Sequence, residues 1–160
     1  MILQVHEERE LTLFCDLHGH SRRKNVFMYG CNFPKNPEET RIFPYILDKL
    51  NPCFHFPYSW FGVQKSKDST ARVALFKEMR IPNIFTMESS FCGNDQGPLK
   101  GKHFTQADLC SVGRDVCRSL LLYSGIAVPD EFGNLNANGE SDSNIMPSKK
   151  FTEDTLEIKS

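Results

Sequence analysis

The sequence lacks a long apolar run. No segment reaches the roughly 20 consecutive apolar residues that a membrane-spanning helix requires. The first ten residues include Glu7, Glu8, Arg9 and Glu10, and their charge does not fit a secretory signal peptide. The sequence therefore predicts an intracellular protein without a membrane anchor.

The sequence also has little net charge and no paired-cysteine pattern. Nineteen basic side chains oppose 20 acidic ones, and the net charge of −1 gives no reason to expect binding to nucleic acid or to a membrane surface. No Cys-x-x-Cys pair is present, which argues against a zinc knuckle and against a disulfide framework. We expect buried free thiols at the six cysteines, which are Cys15, Cys31, Cys53, Cys92, Cys110 and Cys117.

The length and the composition predict one domain followed by a tail. A chain of 160 residues can form one hydrophobic core but not two ordinary domains. Beyond Pro129 the composition changes to Asn, Gly, Ser, Asp and Lys with few large apolar groups. We therefore expect a domain over residues 1–128 and a disordered tail over residues 129–160.

The apolar pattern indicates strands and helices in one α/β domain. Residues 11–17 are apolar apart from Thr12 and Asp16, which predicts a strand buried on both faces of a parallel or mixed sheet. Residues 1–5 are compatible either with the last turns of a helix or with an irregular leading segment. Further strands are predicted at residues 25–30, 72–79 and 83–87, and helices at residues 40–50 and from the Thr105 cap to Gly125.

Two of the predicted strands end in polar residues that could bind a metal or take part in catalysis. The first ends in His18-Gly19-His20, and the last ends in Glu88. An imidazole can hold zinc, and a carboxylate can deprotonate a zinc-bound water, so the pair has the ingredients of a metal-assisted hydrolase. Taken alone, these three residues are weak evidence for a metal site, and structural roles are the favoured interpretation.

Two longer motifs carry a resemblance to a known family. Residues 16–31, with the sequence DLHGHSRRKNVFMYGC, resemble a hallmark segment of the cytosolic carboxypeptidases, which are zinc metallocarboxypeptidases that shorten glutamate chains on tubulin. Residues 86–93, TMESSFCG, resemble a second hallmark, and the resemblance extends from about residue 11 to residue 125. It implies a partial mixed β-sheet with flanking helices, as in the C-terminal half of a zinc carboxypeptidase domain.

The resemblance also implies roles for individual residues. His18 would be a zinc ligand and Glu88 the general base and acid, while His20 would support the site, with direct ligation as the alternative. Arg72, which the pattern places on a strand, would bind the side-chain carboxylate of a terminal glutamate. A solvated arginine at a strand edge is the competing interpretation. The basic run at residues 22–24 would either meet an acidic tail or form a solvated turn.

The sequence departs from the family pattern in its zinc ligands. The family takes two of them from a His-x-x-Glu motif, and none of the five histidines here is followed by Glu at the third position. Only one zinc ligand, His18, is then present and the zinc site is incomplete. We expect this chain to be a C-terminal piece of the catalytic domain, such as a truncated isoform, without peptidase activity of its own.

The predicted function follows from the resemblance to the family and from the missing zinc ligands. By resemblance the chain is a zinc-dependent metallocarboxypeptidase that removes C-terminal glutamates from polyglutamylated proteins such as tubulin, but is inactive alone. The alternatives are a non-catalytic or regulatory fragment that binds acidic protein tails, and a product without function. We expect acidic tails as partners, and a location in the cytosol, with microtubules as a further location if tubulin is the partner.

Overall fold

In the part of the chain that the structure describes, three strands form a mixed sheet. The computed structural model describes residues 2–126. Strand β1 spans Phe14–His20, β2 spans Val26–Tyr29 and β3 spans Ile84–Ser90. The strand order is β1-β3-β2, with β3 parallel to β1 and antiparallel to β2. The predicted mixed sheet is confirmed, and the predicted tail at residues 129–160 lies outside the described residues.

Helices cover both faces of this sheet. Within the described residues they are α1 (Ile2–Glu8), α2 (Ile42–Leu50), α3 (Ala71–Met79) and α4 (Gln106–Tyr123). Short 3₁₀ turns lie at Glu39–Arg41, Phe56–Tyr58 and Lys65–Lys67. In residues 2–126 no helix is long and apolar enough to cross a membrane. The sequence did not decide between a helix and an irregular segment at residues 1–5. Residues 2–5 belong to helix α1.

Two hydrophobic clusters hold the helices on the sheet. On one face, Phe43 of α2 and Val112 of α4 pack in one cluster with Phe85 of β3. On the other face, Val73 and Phe76 of α3 belong to a cluster that includes Ile84 of β3. Consecutive residues of β3 point to opposite faces, so Ile84 and Phe85 anchor the two layers. The central strand is consequently apolar on both sides at its start.

Helix α4 begins at the predicted cap. The Thr105 hydroxyl accepts a hydrogen bond from the Asp108 N–H, and the Asp108 carboxylate accepts one from the Thr105 N–H. These bonds favour the ionised carboxylate and lower the pKa of Asp108. Gly125 follows the helix with φ of 71°, a left-handed conformation that glycine adopts at low cost. The prediction of this helix was correct at both ends.

Two predictions about secondary structure were wrong. The predicted strand at residues 72–79 is helix α3, and its buried side chains include Arg72, Val73, Phe76 and Met79, which is a helical spacing. Strand β1 is not buried on both faces, since none of its residues is fully buried and Leu17, His18 and Gly19 are exposed. It also starts three residues later than the apolar run that predicted it.

The cysteines are free thiols but divide into two environments. Cys31 and Cys53 are buried and Cys15 is half-buried, whereas the other three, Cys92, Cys110 and Cys117, are exposed. The expectation of buried thiols therefore holds only for the first group. Burial raises the pKa of Cys15 to about 12 and that of Cys53 to about 11. Burial also raises the pKa of Cys31, although the nearby Arg72 opposes this effect.

Thiol labelling of the native protein tests this division. With iodoacetamide at about pH 8, we expect Cys92, Cys110 and Cys117 to react first, and Cys53 to react at least ~10-fold more slowly, because a raised pKa leaves less thiolate. Mass spectrometry of tryptic peptides measures the rates, and unfolding in urea should equalise them. Labelling of Cys53 as fast as Cys117 in the folded protein would contradict the packing described.

Candidate functional site

The candidate site lies at the carboxyl ends of β1 and β3. His18 and Glu88 are direct partners in the parallel register of these strands. Partner residues on neighbouring strands point to the same face, so the imidazole and the carboxylate emerge side by side. The register therefore brings together two residues that are 70 positions apart in the sequence.

His20 lies against Glu88 on the same face. Its Nδ1 is 3.6 Å from Glu88 Oε2, and the two side chains are 22% and 13% exposed. The His20 ring also packs edge-on against the Phe27 ring, with a centroid distance of 5.1 Å. These two contacts fix the His20 ring beside the carboxylate. Its supporting role stays a prediction.

His18 is more open to solvent than His20. Its side chain is 53% exposed, and its Nδ1 is 3.4 Å from Asp16 Oδ1. An accessible imidazole with a carboxylate nearby can act as a metal ligand. The geometry is compatible with the predicted role of His18.

One cavity of about 590 Å³ contains all four predicted site residues. The strands contribute the first wall, and the segment from Trp60 to Arg72 contributes the second. The strand residues are Asp16, His18, His20, Tyr29, Thr86 and Glu88, and those opposite are Trp60, Gln64, Lys67, Thr70, Ala71 and Arg72. Imidazole and carboxylate groups thus face basic and aromatic groups across one volume.

Arg72 reaches the cavity from a helix and not from a strand, which corrects its predicted location. It lies in the first turn of α3 and is 6% exposed, so it is not a solvated strand-edge arginine either. Its Nη1 donates hydrogen bonds to the Gly30 carbonyl oxygen and to Cys31 Sγ. The side chain therefore both lines the cavity and holds the chain that follows β2.

The basic residue Lys67 also lines the cavity and was missed by sequence reasoning. It belongs to the 3₁₀ turn Lys65–Lys67, in a polar run that looks like an ordinary surface loop. Within the described residues its ammonium group has no ion-pair partner, in contrast to Lys77, which pairs with Asp68 at 2.5 Å. Only the three-dimensional arrangement distinguishes Lys67 from its neighbour Lys65.

The basic run at residues 22–24 is partly structural. The Arg23 guanidinium lies over the rings of Phe27 and Tyr58, at 5.4 and 5.0 Å from their centroids. It also donates a hydrogen bond to the Tyr58 carbonyl oxygen. All three basic side chains of the run are exposed, and Arg23 is the one engaged in these contacts.

The chain that follows β1 is held in place by Asn25. This residue is fully buried, with φ of 61°. Its amide nitrogen donates to Asn94 Oδ1, and its amide oxygen accepts from the N–H groups of Asp95 and Gln96. One side chain thus ties the start of β2 to the loop after β3, so the segments that follow β1 and β3 are held together at one point.

The described residues do not by themselves form a zinc site. In residues 2–126, no group of three or more His, Cys, Asp or Glu side chains is arranged to hold one metal ion. A catalytic zinc normally has three protein ligands. The predicted ligand His18 is available, but a zinc ion bound there needs ligands from elsewhere.

Comparisons with known proteins identify sequence relatives among the cytosolic carboxypeptidases and similar folds among solved metallo-carboxypeptidases. No family model matches the chain. Mouse (Mus musculus) cytosolic carboxypeptidase 3 is 47% identical over 130 residues, and Xenopus tropicalis cytosolic carboxypeptidase 2 is 46% identical over 127. Each alignment covers 77% of this chain and 13% of the relative. The chain therefore spans only a small part of these curated relatives.

Solved metallo-carboxypeptidases share the fold. The protein from Burkholderia cenocepacia matches 77% of this chain with a TM-score of 0.62 and 16% identity. The protein from Pseudomonas aeruginosa matches 75% with a TM-score of 0.60 and 23% identity. In both cases the match covers 33% of the solved chain. The predicted fold, a partial mixed sheet of the carboxypeptidase type, is confirmed.

Replacing Asn25 tests whether it anchors the site. We expect Asn25→Gly to lower the free energy of unfolding by about 2–3 kcal/mol, because glycine keeps the positive φ but leaves buried polar groups without partners. Urea denaturation measures this change. Asn36→Ala is the control, since it removes one exposed hydrogen bond to Glu39 and should cost less than ~0.5 kcal/mol. Equal effects of the two substitutions would contradict the anchoring role.

Proposed function

The chain is a sequence relative of the cytosolic carboxypeptidases, and on that basis we propose that it forms part of a zinc metallocarboxypeptidase site that removes C-terminal glutamates. The observation that carries the proposal is the convergence of His18, Glu88 and Arg72 on one cavity. We infer polyglutamylated proteins such as tubulin as the substrate class, and the cytosol as the location.

Glu88 is the residue to which the chemistry is assigned. It accepts a proton from the attacking water as the scissile carbonyl is hydrolysed and passes the proton to the leaving amine. His20, 3.6 Å from the carboxylate, limits the orientations of Glu88. His18 supplies one imidazole for zinc, which when bound would polarise the carbonyl. Because the described residues lack the other ligands, no further step is assigned.

Recognition of an acidic substrate rests on two cations in the same cavity. The hydrogen bonds of Arg72 described above all use Nη1, so its other nitrogens are available to a substrate carboxylate. Lys67 adds a second positive charge on the same wall. A glutamate side chain in the cavity would meet these charges opposite Glu88.

A second candidate function is non-catalytic binding of acidic protein tails. The observation that favours it is the absence, within residues 2–126, of a group of side chains able to hold a metal ion. The positive side chains of Arg72 and Lys67 can attract a carboxylate without a bound metal. The two functions differ in whether Glu88 matters, and the following experiments separate them.

A chimera tests the catalytic assignment. The matched segment of mouse cytosolic carboxypeptidase 3 is replaced by that of this chain, and release of glutamate from a peptide with a glutamate C-terminus is measured. We expect the chimera to release glutamate and Glu88→Gln to reduce kcat at least ~100-fold, because the general base is lost.

The control for this experiment is Glu78→Gln, which changes an exposed carboxylate on α3 in the same way. It should leave kcat within about twofold of the parent chimera. A folded chimera whose activity survives Glu88→Gln would overturn the assignment of Glu88 and leave acidic-tail binding as the better candidate.

Peptide binding to the chain itself tests the recognition groups. We expect Lys67→Ala to weaken binding of a glutamate-ended peptide about fivefold, which is ~1 kcal/mol, because a charge on the cavity wall is lost. Lys65→Ala removes the same charge from the same turn but outside the cavity, and should change the Kd by less than ~2-fold. Titration calorimetry at two salt concentrations measures both. Equal losses would show a nonspecific charge effect.

A further inference from the structure

Arg72 is a buried guanidinium that pairs with no carboxylate in the described part of the chain. It is 6% exposed, and within residues 2–126 its contacts are hydrogen bonds to neutral acceptors. A buried charge is costly unless hydrogen bonds or a ligand compensate it. The groups that hold Arg72 in the wall of the cavity therefore matter for any ligand that enters.

Two neutral acceptors hold one nitrogen of the guanidinium. Nη1 of Arg72 carries two N–H groups, and it donates to the Gly30 carbonyl oxygen and to Cys31 Sγ, the latter at 3.3 Å. Because the guanidinium is planar, two bonds from one nitrogen set the orientation of the whole group. Among the described residues, Nη2 and Nε have no acceptor, so they remain for a bidentate contact with a carboxylate.

The segment that carries these acceptors is fixed at the end of β2. The Gly30 N–H donates to the Trp60 carbonyl oxygen at 2.9 Å, and a Cβ at Gly30 would come within 2.6 Å of the Phe61 ring. Cys31 is 1% exposed and packs in one hydrophobic cluster with Val73 of α3. The acceptors are thus in place before a ligand arrives, which is what a preorganised site requires.

The Cys31 thiol is uncharged at neutral pH. Burial raises its pKa, and the positive charges of Arg72 and Lys77 oppose this effect only in part. A carboxylate at this position would form an ion pair with Arg72 and cancel much of the positive charge that attracts a substrate carboxylate. A thiol accepts a hydrogen bond without cancelling that charge.

We propose that Cys31 is a positioning residue, which orients Arg72 for the side-chain carboxylate of a C-terminal glutamate and leaves its charge free for that contact. Cys31 does not touch the substrate and acts through Arg72. This inference rests on the proposed function, because it takes Arg72 as the group that binds the carboxylate.

Selectivity for glutamate over glutamine distinguishes positioning from core packing. The carboxylate of glutamate receives charge-assisted hydrogen bonds from Arg72, whereas the amide of glutamine is neutral and of nearly the same shape. The ratio of the two dissociation constants therefore reports on the orientation of Arg72. A residue that only fills the core changes the free energy of unfolding and leaves this ratio unchanged.

The test titrates the full chain with two peptides that differ only in a C-terminal glutamate or glutamine. We expect the unaltered chain to bind the glutamate peptide at least ~10-fold more tightly. Cys31→Val, which replaces the acceptor with an apolar side chain, should reduce this preference at least ~3-fold. Cys31→Ser, whose hydroxyl accepts a hydrogen bond, should keep the preference within ~2-fold of the unaltered chain. Titration calorimetry measures all four constants for each pair.

Three further variants control for packing. Cys53→Val makes the same exchange at a thiol that is also 1% exposed but lies in the other hydrophobic cluster, and it should leave the preference within ~2-fold. Cys31→Ala removes the acceptor without added bulk and should lose the preference as Cys31→Val does. Arg72→Met should abolish the preference, and adding Cys31→Val to it should change nothing further. Urea denaturation verifies that each variant is folded.

The outcomes separate this inference from the proposed function. An unaltered chain without preference for glutamate, or a preference that survives Arg72→Met, would overturn the recognition role of Arg72 and the role of Cys31 with it. A preference that Arg72→Met abolishes but Cys31→Val and Cys31→Ala both retain would overturn only the role of Cys31. The same conclusion would follow if Cys53→Val lost as much preference as Cys31→Val.

Discussion

The arrangement of the site depends on the parallel pairing of β1 with β3. The register sets His18 beside Glu88 and places His20 within reach of the same carboxylate. A shift of one residue would turn one of the two strands over and send its polar residues into the opposite, apolar face. Phe85 and Met87 alternate with the polar residues of β3 and pack in the core. Their burial therefore also determines the face on which the polar residues of the site lie.

The sequence predicted the strands that carry His18 and Glu88 better than it predicted the loop and the helix on the opposite wall of the cavity. The abrupt change from apolar residues to His18 and Glu88 was a local signal, and the two hallmark motifs are supported by 47% identity to a cytosolic carboxypeptidase. Helix α3 was mistaken for a strand because residues 73–76, which follow Arg72, form a continuous apolar run. Neither the position of Arg72 at a helix start nor the presence of Lys67 in the cavity has a local signal, because both depend on how a loop folds over the sheet.

The exposure of β1 was also beyond local prediction. A continuous apolar run is typical of a strand covered on both faces, and residues 11–17 match that pattern although no residue of β1 is fully buried. The mismatch is itself informative. Leu17, at the end of that run, is 68% exposed, and the side chain of His18, which follows it, is 53% exposed.

The central claim is that His18 holds a metal beside Glu88, and a crystal structure of the chimera with zinc tests it most directly. We predict an anomalous scattering peak at the zinc absorption edge about 2.0–2.1 Å from a His18 ring nitrogen, with the Glu88 carboxylate on the same side of the sheet. A peak at any other residue of this chain, with His18 free, would contradict the account.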